Sequence, residues 1–381
     1  MLQFYKNELF LDTKLLDQED FDEVQSLTIE LDKSFLKIAL NYAFISRLEY
    51  KNLLLKNKVD FFVFDYENLP RFTQSISKED LDFLLDHNLF PISSSGDEVE
   101  LVVADPSDNT SIYKFIDHFS LLINKIHIAE DMDILKALHI AYGDNILEKA
   151  VFGLYKKDPK SSAIETFTSR QLFGLGGVCL VFLVLLFLYP IPAIIGINVL
   201  LNLFFIIVIV FKFILTMVGS RSDVFQKVSS QDTDQILDEE LPVYTLLLPV
   251  FKESEVIYKL ALNLQNLDYP KEKLDIKLLI EADDPVTFDA IKNLKFPCIL
   301  DPVIIPYAQP KTKPKACNYG LYFCKGKYIT IYDAEDIPDS DQLKLVNALF
   351  QRLPDNYIVV QCALNYFNKS ENLLTRMFTL E

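Results

Sequence analysis

The sequence predicts three parts: a small α+β domain, a two-helix transmembrane hairpin and an α/β domain. Three observations carry this. One long run holds no charged residue, the stretch before it mixes helical spacing with a short apolar strand, and the stretch after it alternates strands with helices. The expected limits are 1–158 for the first domain, 159–170 for a linker, 171–218 for the hairpin, 219–240 for a second linker, and 241–381 for the α/β domain.

The chain has 381 residues and a net charge of −17. Two or three domains fit that length. The charge removes the basic footprint that DNA or RNA binding needs, so nucleic acid is not an expected partner. None of the five cysteines forms a C-x-x-C pair, and the four histidines are scattered, so neither a zinc site nor a disulfide framework is expected. That usage fits reduced thiols in a cytoplasmic setting. The acidic start, MLQFYKNELFLD, is no secretory signal.

Within the first part, Ser34–Lys56 and Ser77–Leu89 carry apolar residues at helical spacing, and Ser77 with Asp80 three residues on is a capping signal. Val99–Ala104 (VELVVA) reads as a strand ended by the turn residues Asp105-Pro-Ser-Asp108. Helical spacing returns at Ser111–Leu122 and Asp133–Tyr142, and Lys156–Ser169 is polar and linker-like.

Gln171–Phe211 contains no charged residue. One membrane-spanning helix needs about 20 apolar residues, so the run suffices for two. Pro190 and Pro192 break it and suit a tight turn. The expected spans are about 172–189 and 193–215. A buried helix pair in a soluble core is the competing reading, but such cores seldom run this long without a charge. Arg170 precedes the first span, and Lys212, Arg221 and Lys227 follow the second, which puts both flanks in the cytoplasm. The expected location is the inner (cytoplasmic) membrane.

In the last part, Val243–Pro249, Ile276–Glu281, Cys298–Ile305, Tyr328–Tyr332 and Tyr357–Gln361 read as strands; Ser254–Leu267, Lys315–Cys324 and Gln342–Leu353 read as helices. This alternation predicts a mainly parallel sheet. Ligands of such sheets gather at the carboxyl ends of strands. Three ends here carry charge: Pro249-Val-Phe-Lys-Glu253, Glu281-Ala-Asp283-Asp284 and Asp333-Ala-Glu335-Asp336. Converging carboxylates repel one another unless a cation binds, and Mg²⁺ or Mn²⁺ takes one or two carboxylates together with substrate phosphates. The basic loop Lys311-Thr-Lys-Pro-Lys315 lies between the two acidic ends and supplies ammonium groups for phosphate. For each group the plain alternative is a solvated turn.

The segments LLLPVFKE, LLIEADD, KTKPKACNYGL, YITIYDAEDIPDSDQL and RMFTLE, in that order, resemble the front part of an inverting family 2 glycosyltransferase of GT-A fold, in the branch related to cellulose synthase. The resemblance implies that Pro249 to Glu253 line a nucleotide pocket and that Asp283 or Asp284 binds the uracil or ribose side of a nucleotide sugar, UDP-linked. Lys313, Lys315 and Asn318 would lie beside the diphosphate. Asp333 and Glu335, with Asp336, would hold Mg²⁺ or Mn²⁺. The family's later general-base and Gln-x-x-Arg-Trp segments have no match, and the chain has no Trp. The expectation is therefore a donor-binding half. A polysaccharide or lipid acceptor, and a separate chain carrying the missing half, are the implied partners; no catalytic residue is identified. The alternative is a non-catalytic, membrane-tethered interaction or sensory protein with a transferase remnant.

ALNYAFISRLEYKNLLLKN, ISKEDLDFLLDHNLFPISSSGDEVELVVADPSD and IAYG resemble the N-terminal domain of type II secretion ATPases. Some members of that family bind a cyclic dinucleotide through an Arg-Leu-Gly start, which this chain lacks.

Overall fold

The computed structural model describes residues 9–12, 15–70, 72, 75–93, 98–219, 236–293, 300–362 and 371–378. Most of the expected second linker, the two basic residues Arg221 and Lys227, and the start of the expected strand at Cys298 lie outside the described residues. The chain divides into two compact units, one of residues 1–150 with 229–381 and one of 151–228.

In the first unit, α1 (Gln18–Leu31), α2 (Phe35–Asn41) and α3 (Arg47–Lys56) lead to α4 (Lys78–His87). The helix expected over Ser34–Lys56 is two helices. Ala43 takes a left-handed φ of 62°. Ser46 then starts α3 with a capping box to Glu49, because its side chain offers the exposed N–H groups a better partner than continued helix does. The capping box expected at Ser77 and Asp80 forms at α4.

A three-stranded sheet follows, from β1 (Leu89–Ser93), β2 (Glu98–Val103) and β3 (Leu122–Ile128). The β1/β2 pair is antiparallel and β2/β3 parallel, with α5 (Asn109–Phe119) as the crossover. Only β2 is apparent from the sequence. β1 carries a proline, and β3 is half exposed without clean alternation. Helices α6 (Asp131–Tyr142) and α7 (Asp144–Lys157) complete this part.

The second sheet is parallel throughout, in the order β6-β5-β4-β7, from β4 (Tyr244–Val250), β5 (Leu274–Glu281), β6 (Asp301–Ile305) and β7 (Tyr328–Ile331). The protein is thus a mixed α/β protein with a parallel sheet. Leu246, Leu247 and Leu248 are at most 1% exposed, so both faces of β4 are covered, as a continuous apolar run requires. Each such side chain contributes about 1.5–3 kcal/mol on burial. The helices are α10 (Ser254–Gln265), α11 (Pro285–Asn293), α12 (Lys313–Gly320) and α13 (Gln342–Arg352), with a further turn of helix, α14, at Leu373–Phe378. Ile257, Leu260, Ala261 and Leu264 give α10 its buried stripe. Gly320 sits where a Cβ would come 2.7 Å from a Leu279 methyl, so α12 lies close on the sheet.

One expected strand is absent. Tyr357–Gln361 forms no ladder with any described residue, and Ile358 and Val359 are 83% and 74% exposed. A run of β-branched residues becomes a strand only when a neighbour pairs with it. The helix expected at Lys315–Cys324 starts two residues earlier and ends at Gly320, followed by a single 3₁₀ turn.

The second unit holds α8 (Ser169–Leu188) and α9 (Pro190–Gly219), two helices long and apolar enough to cross a membrane; none of their residues is buried. The break between them is the single residue Tyr189. Pro190 and Pro192 lie in the first turn of α9, where a missing N–H breaks no helical bond, so this helix starts earlier than the expected 193.

Candidate functional site

The carboxyl ends of β4, β5 and β7 and the start of α12 enclose a cleft of about 420 Å³. That volume is in the range of small-molecule sites. Its apolar wall is Val250, Phe251, Leu279, Ala316 and Ala334; its polar groups include Glu253, Glu281, Lys311, Lys313, Asp333 and Glu335.

Three alternate lysines, Lys311 in the loop and Lys313 and Lys315 at the start of α12, each meet an acid, two at the end of β5 and one at the end of β7. Lys311 pairs with Asp283, Lys313 with Asp333, and Lys315 with Glu281. The first two pairs are open to solvent. The third is buried: Lys315 Nζ lies 2.8 Å from Glu281 Oε2 and also donates to the Ala308 carbonyl at 3.0 Å. Burial raises the Glu281 carboxyl above its ordinary value, and Lys315 offsets only part of that rise. The Lys311 ammonium also lies over the Tyr307 and Phe251 rings, at 5.1 and 5.6 Å.

Of the residues singled out in the sequence, Pro249, Glu253, Lys313, Asp333 and Glu335 line the cleft together. Asp283 reaches its rim through Lys311. Four others point elsewhere. Asp284 is fully buried, and its carboxylate accepts from Lys252 N at 2.5 Å and Thr287 N at 3.2 Å, tying the loop after β4 to α11. Asp336 accepts from Asp333 N at 2.8 Å and closes the turn that presents Asp333 and Glu335. Lys315 is held by Glu281, and Asn318 donates to the Ala150 carbonyl at 3.1 Å, away from the cleft. The sequence reading did not include Glu281 or Lys311 among the binding residues. Their signal was position: one ends β5 and the other opens the basic loop.

A divalent cation is tested by its donor set. Among the described residues no three His, Cys, Asp or Glu side chains gather at one point. Asp333 and Glu335 are two carboxylates on one cleft wall, which suits a Mg²⁺- or Mn²⁺-type ion that takes its remaining ligands from a diphosphate and water. The third expected ligand, Asp336, has its carboxylate engaged in the turn.

Residues 61–145 match the MshEN domain. The chain is similar to glycosyltransferases at modest identity. It is 28% identical over 146 residues to Probable glycosyltransferase YdaM of Bacillus subtilis, covering 38% of this chain and 34% of that protein. It is also 28% identical over 109 residues to the dolichyl N-acetyl-alpha-D-glucosaminyl phosphate 3-beta-D-2,3-diacetamido-2,3-dideoxy-beta-D-glucuronosyltransferase of Methanococcus voltae, covering 29% of this chain and 34% of that one. The chain thus spans about a third of the length of the curated relatives it matches. Among solved structures, the mannosyltransferase PcManGT of Pyrobaculum calidifontis, in complex with GDP-Man and Mn²⁺, is 20% identical over 31% of this chain and 37% of its own, with a TM-score of 0.26.

Proposed function

We propose that this chain is the donor-binding part of a membrane-anchored family 2 glycosyltransferase of GT-A fold, which takes a UDP-linked sugar and serves inverting transfer to a polysaccharide or lipid acceptor. The observation that carries this reading is the convergence, at the carboxyl edge of a parallel sheet, of Lys313 and Lys311 with Asp333, Glu335 and Glu253 around one cleft. Glycosyltransferase relatives support it. The archaeal relative, by its name, acts on a dolichyl-linked sugar phosphate, in keeping with a lipid acceptor.

Each residue has a distinct part. Asp333 and Glu335 hold the cation. The cation, when bound, neutralises negative charge building on the leaving diphosphate. Lys313 and Lys311 exchange a carboxylate for a phosphate oxygen, at small cost because an exposed ion pair contributes little. Asp283, freed from Lys311, reaches the nucleoside. Pro249 and Phe251 offer an apolar surface to the base. Lys315 and Glu281 hold the loop in shape. The helices α8 and α9 form a hairpin in the inner membrane with both flanks cytoplasmic, and the division into 1–158, 171–218 and 241–381 belongs to the same reading.

A second reading has its own observation. The acids at 281, 283 and 333 are already matched by lysines, so these three need no cation to neutralise them. On that reading the chain is a membrane-tethered interaction protein with a transferase remnant. Calorimetric titration of UDP into the detergent-solubilised chain, with Mn²⁺ and then with chelator, separates the two. Metal-dependent binding that Asp333→Ala abolishes is the expected result. Heat absent from well-folded protein would leave the second reading in place.

A further inference from the structure

Helix α12 meets the cleft with one end and the MshEN-matching part of the same compact unit with the other. Thr312, Lys313 and Ala316 face the cleft. At the far end Tyr319, 0% exposed, places its hydroxyl 2.9 Å from His139 Nδ1 on α6. His139 is 1% exposed, and burial holds its pKa down to about 3, so the ring is neutral in the physiological range and pairs with the hydroxyl without a charge. Phe323 packs on both rings, at centroid distances of 5.1 Å from His139 and 5.5 Å from Tyr319. Gly143, immediately after α6, leaves the room this contact needs: a Cβ there would stand 2.4 Å from the Tyr319 hydroxyl. Asn318 adds its bond to the Ala150 carbonyl. On its other side α12 rests on Leu279 and Leu247 through Gly320.

Eight helical residues span about 12 Å and move as a rigid rod. We infer that His139, Gly143 and Tyr319 form a clamp through which the N-terminal part positions α12, and with it Thr312 and Lys313, for the donor diphosphate. They are positioning residues, since none of them lines the cleft. The inference rests on the donor-site reading above for its functional consequence. Its structural core, that the clamp holds α12 in register, stands apart from that reading.

The test uses the full chain in detergent with three variants. Tyr319→Phe removes only the hydroxyl. Gly143→Ala pushes against the hydroxyl and, at 2.3 Å, against the His139 carbonyl at the end of α6. Lys292→Ala is the control: it breaks ion pairs to Asp133 and Glu130 that also join the N-terminal part to the second-sheet region, on α11 rather than α12. Amide hydrogen exchange of residues 313–320, without ligand, should rise by about tenfold in the first two variants and stay within about twofold in the control. UDP affinity in Mn²⁺ should fall by roughly three- to tenfold in the first two, while the control holds its affinity even where its melting temperature drops as far. Unchanged exchange in 313–320 overturns the clamp, as does a loss of affinity that only tracks melting temperature across all three variants. If the unaltered chain binds no UDP, the donor reading fails, and the exchange measurement alone decides the clamp.

Discussion

The two ends of β5 carry the same chemistry in opposite settings. Near its start, Lys277 lies 2.6 Å from Asp301 and 3.0 Å from Asp275, with its side chain 3% exposed. Lys37 of α2 reaches Asp301 at 3.7 Å and Asp86 at 3.4 Å, and donates to the Leu85 carbonyl at 2.7 Å. Burial pushes the Asp301 carboxyl up, but Lys277 and Lys37 outweigh it and hold it well below the ordinary carboxylate range. At the other end, past the buried pair of Lys315 with Glu281, Lys311 with Asp283 and Lys313 with Asp333 are open to solvent, each with one acidic partner. A buried charge with several partners cannot leave without stranding the others, so it acts as structure. An exposed pair is screened and replaceable, so it suits a ligand.

Substitutions at the two ends should therefore differ sharply. Asp301→Ala leaves Lys277 and Lys37 short of a buried partner, and unfolding in detergent should show a loss of about 3–5 kcal/mol. A loss under about 1 kcal/mol would make the two ends alike.

A third setting sharpens the contrast: Asp105, buried beside Asp108 rather than beside a lysine. Burial raises its carboxyl to about 6. With the folded pKa above the unfolded value of 3.8, the native state binds the extra proton. This contribution is fully present below about pH 4 and is lost as pH rises through about 6. Relative to the parent, Asp105→Asn should flatten the slope of stability across pH 4–6, an effect of roughly 2–3 kcal/mol in total. Asp86 runs the other way. Burial pushes its carboxyl up, but Lys37, Lys33 and Lys325 bring it down to about 2. Its stabilising contribution is complete above about pH 4 and disappears as pH falls through about 2. Acid titration of Asp86→Asn against the parent should show a smaller loss of stability below pH 4.

The smallest effects belong to the cleft. Asp333→Ala should change stability by under about 1 kcal/mol while removing metal-dependent UDP binding. Lys311→Ala should stay within about 0.5 kcal/mol in the unfolding assay, and 1 M salt should erase even that difference.

The capping box at Ser77 was legible because both partners sit within four residues, and β4 and β5 because an unbroken apolar run declares a strand covered on both faces. The one at Ser46 was masked by continuous helical spacing around it. β1 and β3 owe their existence to pairing with β2, and Tyr357–Gln361 shows the converse, strong local preference with no partner among the described residues. The candidate site was legible as charged strand ends. Its inner geometry was not, because Asp283 and Asp284 are neighbours in sequence and differ only in what the fold brings to them.

By itself the sequence determined the two long apolar helices, the alternation that makes a parallel sheet, and the charge that gathers at the strand ends. These are local properties of spacing and composition, so they survive without knowledge of the fold. Only the tertiary structure decided that Asp333 and Glu335 face the cleft while Asp284 and Asp336 brace loops, that Lys315 is a buried strut, and that Tyr319 meets His139. A carboxylate or an ammonium takes its role from burial and from partners supplied by distant segments, and those are settled only when the chain has folded.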